Sequence, residues 1–164
     1  MFNIASNIVN HAYHYFYGYS INQSNELIWD GNNKDSLQQA CQKILNSTIK
    51  SATFHIPSDT GWYGVRCRKS GLDIQPIQEM LAQTNCPLET LTINDSCLQL
   101  SELADLCNKI SKETILKRIN IMHVVIRDET ERTCLRNLEE DLSVRNIVIQ
   151  AVENFNPTFG TSYH

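Results

Sequence analysis

Histidine and cysteine carry most of the chemistry open to this chain near neutral pH. His11 and His14 stand three residues apart, which would set two imidazoles on one helix face, but no Asp or Glu precedes Glu26 to join them in a metal site. His55, His123 and Cys134 are the parts of a base and a nucleophile, the core of a hydrolase or transferase that would draw on a convergent acid. A nucleophilic thiol needs an accessible, electropositive setting, whereas the pattern around Cys134 puts it on the apolar face of a helix. The six cysteines, at 41, 67, 86, 97, 107 and 134, show no C-x-x-C spacing. Cys41, Cys107 and Cys134 all fall on apolar helix faces and read as reduced core thiols. No Walker loop, G-x-G-x-x-G or G-x-S-x-G motif occurs. The expectation is a protein that is not an enzyme and holds no cofactor and no metal.

A period organises the elements that must position these side chains. Leu88-Glu-Thr-Leu91-Thr-Ile93, Leu116-Lys-Arg-Ile119-Asn-Ile121 and Val144-Arg-Asn-Ile147-Val-Ile149 share the form apolar-x-x-apolar-x-apolar, at two successive offsets of 28 residues. Helical patterns recur at the same offset: Leu106, Cys107 and Ile110 return as Cys134, Leu135 and Leu138. The second helix opens at Asp128-Glu-Thr-Glu131, where Asp128 can accept from the unpaired N–H groups of the first turn. Strand and helix repeating together make a β-loop-α unit, and a period of this length signals a solenoid.

Upstream the unit continues more loosely. Thr53-Phe-His-Ile56 is predicted as a strand, followed by a helix entered at Asp73 with Ile74, Ile77 and Leu81 inward. Phe54 and Leu91 lie 37 residues apart, so about nine extra residues map to the loop from Ser58 to Gly71. Leu27-Ile-Trp29 reads as a further strand, with a helix from Ser36 to Leu45 after it. The predicted fold class is α/β, a short right-handed solenoid with parallel strands on its concave face and helices on its convex face. One domain spans residues 1–164. Residues 1–23 form a helical N-terminal cap with Ile4, Ile8, Val9, Ala12 and Phe16 on one face. Residues 24–150 hold four strand-helix units and a fifth strand, and 151–164 a C-terminal cover.

Composition narrows the partners. Apolar residues make up 41% and charged residues 20%, ordinary for a folded chain of 164 residues. The net charge of −4 gives no basic face for phosphates, so nucleic acid is not expected as a partner. Up to Pro87 the six Lys/Arg balance six Asp/Glu; beyond it eight face twelve, so the acidic excess is C-terminal. The start lacks the basic and apolar regions of a signal peptide, and no apolar stretch approaches a membrane span. A cytoplasmic type of protein, a monomer without membrane contact, is the expectation.

At the phased residues the chain resembles the leucine-rich repeat superfamily, in particular its ribonuclease-inhibitor-like class of 28-residue strand-helix units. The resemblance covers about residues 25 to 150 and is best from Leu88 onward. The family places Asn or Cys eight residues after the first leucine; here those positions hold Ser96, Val124 and Val152, with Asp59 in the looser unit. That departure implies irregular loop turns. What the resemblance implies for function is a protein partner held on an extended concave surface. Adaptors in ubiquitination are common in the superfamily, but no recruiting helix is recognisable in the first 25 residues. Small Asn- and Ile-rich proteins of this kind also look like effectors that intracellular bacteria deliver into host cells, which implies secretion into a host and a host protein as partner.

In such a repeat the residues between the apolar strand positions face the partner. Those expected to make contact are Glu26, Asp30, His55, Glu89, Thr92, Lys117, Arg118, Asn120, Arg145 and Gln150. Acidic groups lie toward the N-terminal end and basic ones toward the C-terminal end, with Lys117, Arg118 and Arg145 forming one basic patch. The inserted loop offers a second contact: Trp62 and Tyr63 between glycines, then Arg66 and Arg68, are residue types enriched in binding hot spots. The competing reading is that the two rings cover their own unit.

Overall fold

Buried and open residues alternate along the strands of this protein, and that alternation fixes its architecture. The computed structural model describes residues 18–60, 66–68 and 72–155. Their elements run β1 (Tyr19–Ile21), β2 (Glu26–Trp29), α1 (Lys34–Leu45), β3 (Ser51–His55), β4 (Ser58–Thr60), β5 (Arg66–Arg68), α2 (Gln75–Leu81), β6 (Thr90–Asn94), α3 (Leu100–Lys109), β7 (Arg118–Ile126), α4 (Glu129–Val144) and β8 (Val148–Phe155). The main sheet has six strands in the order β1-β2-β3-β6-β7-β8. β1 pairs antiparallel with β2, and all later pairs are parallel. The fold is therefore α/β, an open and mostly parallel sheet with four helices.

Each parallel strand lies beside the preceding one of the series, and helix packs against helix in the same succession, α1 on α2, α2 on α3 and α3 on α4. One face of the sheet is thereby covered. Leu27, Trp29, Ala52, Phe54, Leu91, Ile93, Ile119 and Ile121 are all buried there. Trp29 and Phe54 are register partners with ring centroids 6.5 Å apart, and Trp29 Nε1 donates to Ser36 Oγ of α1 at 3.2 Å.

Helix starts follow their capping residues. Asn33 caps α1 by accepting from Ser36 N at 2.8 Å, and Asp128 caps α4 by accepting from Glu131 N at 2.9 Å. Asp73 accepts from Gln75 N at the entry to α2. Ahead of α3, Gln99 N donates to Glu102 Oε2 at 3.0 Å.

The register refines the 28-residue period. It holds between β6 and β7, where Leu91 pairs with Ile119 and Ile93 with Ile121. Between β7 and β8 it does not: Ile119 pairs with Ile149, not Ile147. The cause is α4, which runs to Val144 and leaves that valine 86% exposed instead of matching buried Leu116. A shift of two residues preserves the inside-outside alternation, so Ile147 and Ile149 are buried all the same. Upstream, Leu91 pairs with Ala52 and Ile93 with Phe54, so Ile49-Lys-Ser-Ala52-Thr-Phe54 is the matching unit. The insertion after it contains a hairpin, β4 with β5, outside the main sheet.

Both ends depart from the expected caps. Tyr19–Ile21 is a strand, and the predicted helix over residues 3–17 lies outside the described residues. At the other end β8 continues to Phe155, into the segment assigned to a C-terminal cover. Cys134 is exposed on α4, where only Leu135 and Leu142 are buried, so the apolar face of this end helix is narrower than its pattern suggests. Among the described residues no helix is long and apolar enough to cross a membrane.

Candidate functional site

The face that no helix among the described residues covers is built from the alternate strand residues. Its rows across the sheet follow from the register: Glu26, Ser51, Thr90, Arg118 and Val148 in one, Ile28, Thr53, Thr92, Asn120 and Gln150 in the next. Most are polar and half-buried, because short side chains on neighbouring strands shade one another. Cross-strand bonds tie them. Thr53 Oγ1 donates to Glu26 Oε1 at 2.8 Å, and Asn120 Nδ2 donates to Thr92 Oγ1 at 3.1 Å.

At the amino ends of the strands the face is charged. Glu89 receives Lys50 Nζ at 2.6 Å and Lys117 Nζ at 2.5 Å on its two oxygens. The hydrogen bond from Lys117, then that from Lys50, hold its carboxyl well below the usual range, at about 2. Arg118 stands exposed beside this trio, on the next residue of β7.

At the carboxyl ends lies a cleft of about 370 Å³ lined by Asp30, His55, Ile56, Pro57, Ser58, Asn94, Ser96 and His123. Parallel sheets tend to bind ligands at this end of their strands. Asn94 Nδ2 lies 3.1 Å from His55 Nδ1, and the hydroxyls of Ser58 and Ser96 are 2.8 Å apart. The contact ties the imidazole of His55 to the amide of Asn94 across β3 and β6.

His123 reaches this cleft through a β-bulge. Ile121 pairs with Ala151 and Val124 with Glu153, so Met122 and His123 together oppose the single residue Val152. The extra residue puts both Met122 and His123 outward and returns Val124 and Ile126 to the core. His123 thus sits inside β7 and not in a loop after a strand. After β6 the loop backbone is bonded not by Ser96 but by fully buried Asp95, whose Oδ1 accepts from Cys97 N at 2.9 Å.

The expected contact residues therefore divide. Glu26, Thr92, Arg118, Asn120 and Gln150 share the open face, Glu89 and Lys117 sit at its amino-end rim, and Asp30 and His55 line the cleft. Arg145 is not among them. It is the C-cap of α4, and its Nη2 donates to the carbonyls of Ile110 and Ser111 at 3.0 Å each, closing the end of α3. The three-residue basic patch is reduced to Lys117 and Arg118, and Lys50 joins it from β3's leading end. Trp62 and Tyr63 lie outside the described residues, and Arg66 and Arg68 are on β5. Asn94 follows from strand alternation, whereas Ser58, Ser96 and His123 are cleft residues that alternation alone does not single out. The bulge itself was legible, because Ile119, Ile121, Val124 and Ile126 break the two-residue spacing once.

The thiols give no nucleophile in the core. Burial raises Cys41 and Cys86, and pushes Cys107 up to about 12, with Arg145 pulling it partly back. Among the described residues no group of three or more His, Cys, Asp or Glu is arranged to hold a metal ion. No family model matches this chain, and no curated protein or solved structure does.

Proposed function

We propose that this chain is a protein-binding module of the leucine-rich-repeat kind, a short solenoid that holds its partner on the open sheet face. The observation that carries the reading is the division of that face. Four helices cover one side of the sheet, while the other presents polar rows with cations at the amino ends of the strands and a polar cleft at their carboxyl ends. A surface of this kind favours a partner that brings an acidic group toward Lys117 and Arg118 and hydrogen-bonding groups toward His55 and Asn94. The charge polarity runs along the strands instead of from one end of the repeat to the other. Support for the solenoid comes from the consecutive strand order and from the 28-residue register of β6 and β7.

The test compares two variants of opposite faces in affinity capture from lysate. Lys117→Glu with Arg118→Glu reverses charge on the open face, and Lys43→Glu does so on exposed α1. The expected result is loss of the captured partner, at least tenfold in affinity, with the first variant alone. Partners retained equally by both would reject the open face as the contact surface.

A further inference from the structure

Among the described residues five large apolar side chains are exposed, Ile115 and Val144 outside the strands and the other three together on one edge of the sheet. Val148 and Val152 of β8 are each 54% exposed, and Met122 of the adjoining bulge is 43% exposed. β8 pairs with β7 on one side, and among the described residues no strand pairs with its other side. Long edge strands are normally guarded by charge, proline or brevity. β8 has eight residues and no proline, and its one charged residue, Glu153, is taken by Arg132 Nε at 2.9 Å on the helix side.

The spacing of the valines says what fits this edge. Val148 and Val152 are placed symmetrically about Gln150 on the open face. We infer that β8 is a self-pairing edge: two copies of this chain join β8 to β8 antiparallel, about a two-fold axis through Gln150. In that register each Val148 stands opposite the partner copy's Val152, and Gln150 opposite its own counterpart, so one pattern satisfies both copies.

Backbone polarity agrees. Val148 N donates to Lys117 O at 2.9 Å, so Val148 and, by alternation, Gln150 turn their backbone groups toward β7. Ile149 and Ala151 turn theirs outward, and in the proposed register Ile149 of one copy meets Ala151 of the other as a doubly hydrogen-bonded pair. Val148 with Val152 and Gln150 with Gln150 are then the close, non-bonded pairs, the positions where side chains pack best. The same axis runs α4 antiparallel to its counterpart. The inference replaces the expectation of a monomer and does not depend on what the open face binds.

The experiment is sedimentation equilibrium of the full chain from about 1 to 500 μM, a range that spans ordinary dimer constants. The expected result is reversible conversion to twice the 18.8 kDa chain mass. V148K/V152K sets like charges opposite each other and should raise the dimer constant at least tenfold, with an unchanged far-ultraviolet spectrum. Mixing it with V148E/V152E should restore a mixed dimer, because the valine positions of the two copies stand opposite one another. Q150C, with Cys97 and Cys134 replaced by Ser, should form a covalent dimer under mild oxidation, whereas V144C in the same background should not. A full chain that stays monomeric throughout overturns the inference. So does a dimer indifferent to the valine variants, and so does a monomer that dimerises only after removal of residues 156–164, which would assign the edge to the chain's own end.

Discussion

The two edges of the main sheet end in opposite ways. At one edge β1 has three residues, runs antiparallel to β2 and buries Tyr19. It is fixed by a close backbone approach. Gly18 has φ 68°, and a Cβ on Gly31 would lie 2.6 Å from Ser36 Oγ and 2.7 Å from Trp29 Nε1. At the other edge β8 is long, parallel and carries two exposed valines on its open face. A strand of three residues offers few backbone groups to a stranger, and reversal of direction breaks the parallel series. Among the described residues the first edge therefore terminates the sheet, while the second has the means to continue it.

The largest expected effect of breaking this contrast is at Trp29, fully buried against Phe54 and bonded to Ser36. Trp29→Ala should cost about 3–5 kcal/mol, the usual range for emptying an aromatic core site. Val152→Ala at the opposite edge, measured at a concentration where the chain is monomeric, should change stability by about 0.5 kcal/mol or less. Urea unfolding of both variants reads the difference. Comparable losses would mean that the β8 edge is as enclosed as the β1 side.

A smaller effect is expected where α4 hands over to β8. Asn146 has φ 59°, Asn146 N donates to Ser143 O at 2.9 Å, and Ile147 N donates to Leu142 O at 3.0 Å. This is a Schellman turn, with buried Ile147 and Leu142 as its apolar contact. Asn146→Val forces a branched side chain into the left-handed region and should cost about 1–2 kcal/mol, whereas Asn146→Gly should be nearly neutral. Equal losses from the two would show that the amide side chain, not the backbone conformation, sets this turn.

The same turn explains part of what sequence could and could not reveal. Apolar spacing located all four helices and the parallel strands from Leu27 to Ile149, because burial on one face leaves a periodic imprint. It placed Val144 in the strand phase because the period carries no information about where a helix stops. Asn146 followed by Ile147 marks that stop only once the left-handed turn is considered. The inserted unit was misaligned by two residues for a related reason: Ala52, a small residue, carries the core position that Leu91 carries in the next strand. Arg145 looked like a surface cation since a guanidinium that seeks carbonyls and one that seeks a partner's charge have the same letter. The cleft was hidden because it gathers residues at β2, β3, β4, β6 and β7 that lie far apart in sequence, and the broken alternation at Met122 and His123 was its one local sign.

The smallest effect belongs midway between the two edges, where Glu89 bridges Lys50 and Lys117 across β3, β6 and β7. The two ammonium groups favour the ionised carboxyl in the folded chain, taking it from an ordinary value of 4.5 to about 2. A depressed carboxyl stabilises the fold in full above its unfolded value, and that contribution fades as pH falls from about 4.5 through about 2. Glu89→Gln should therefore be modestly less stable than the native chain at pH 7, and the gap should close as the buffer is taken down through this window. Because the lysines are exposed, 0.5 M salt should shrink the gap at pH 7 as well. Thermal unfolding of both chains at pH 7, 4.5 and 3, with and without salt, measures it. A gap that is constant with pH would mean the bridge adds nothing electrostatic, and that Glu89 serves the sheet only through the packing of its stem. Since the bridge touches neither edge, the variant should leave the association of β8 unchanged, which separates weakening of the sheet's centre from loss of its self-pairing edge.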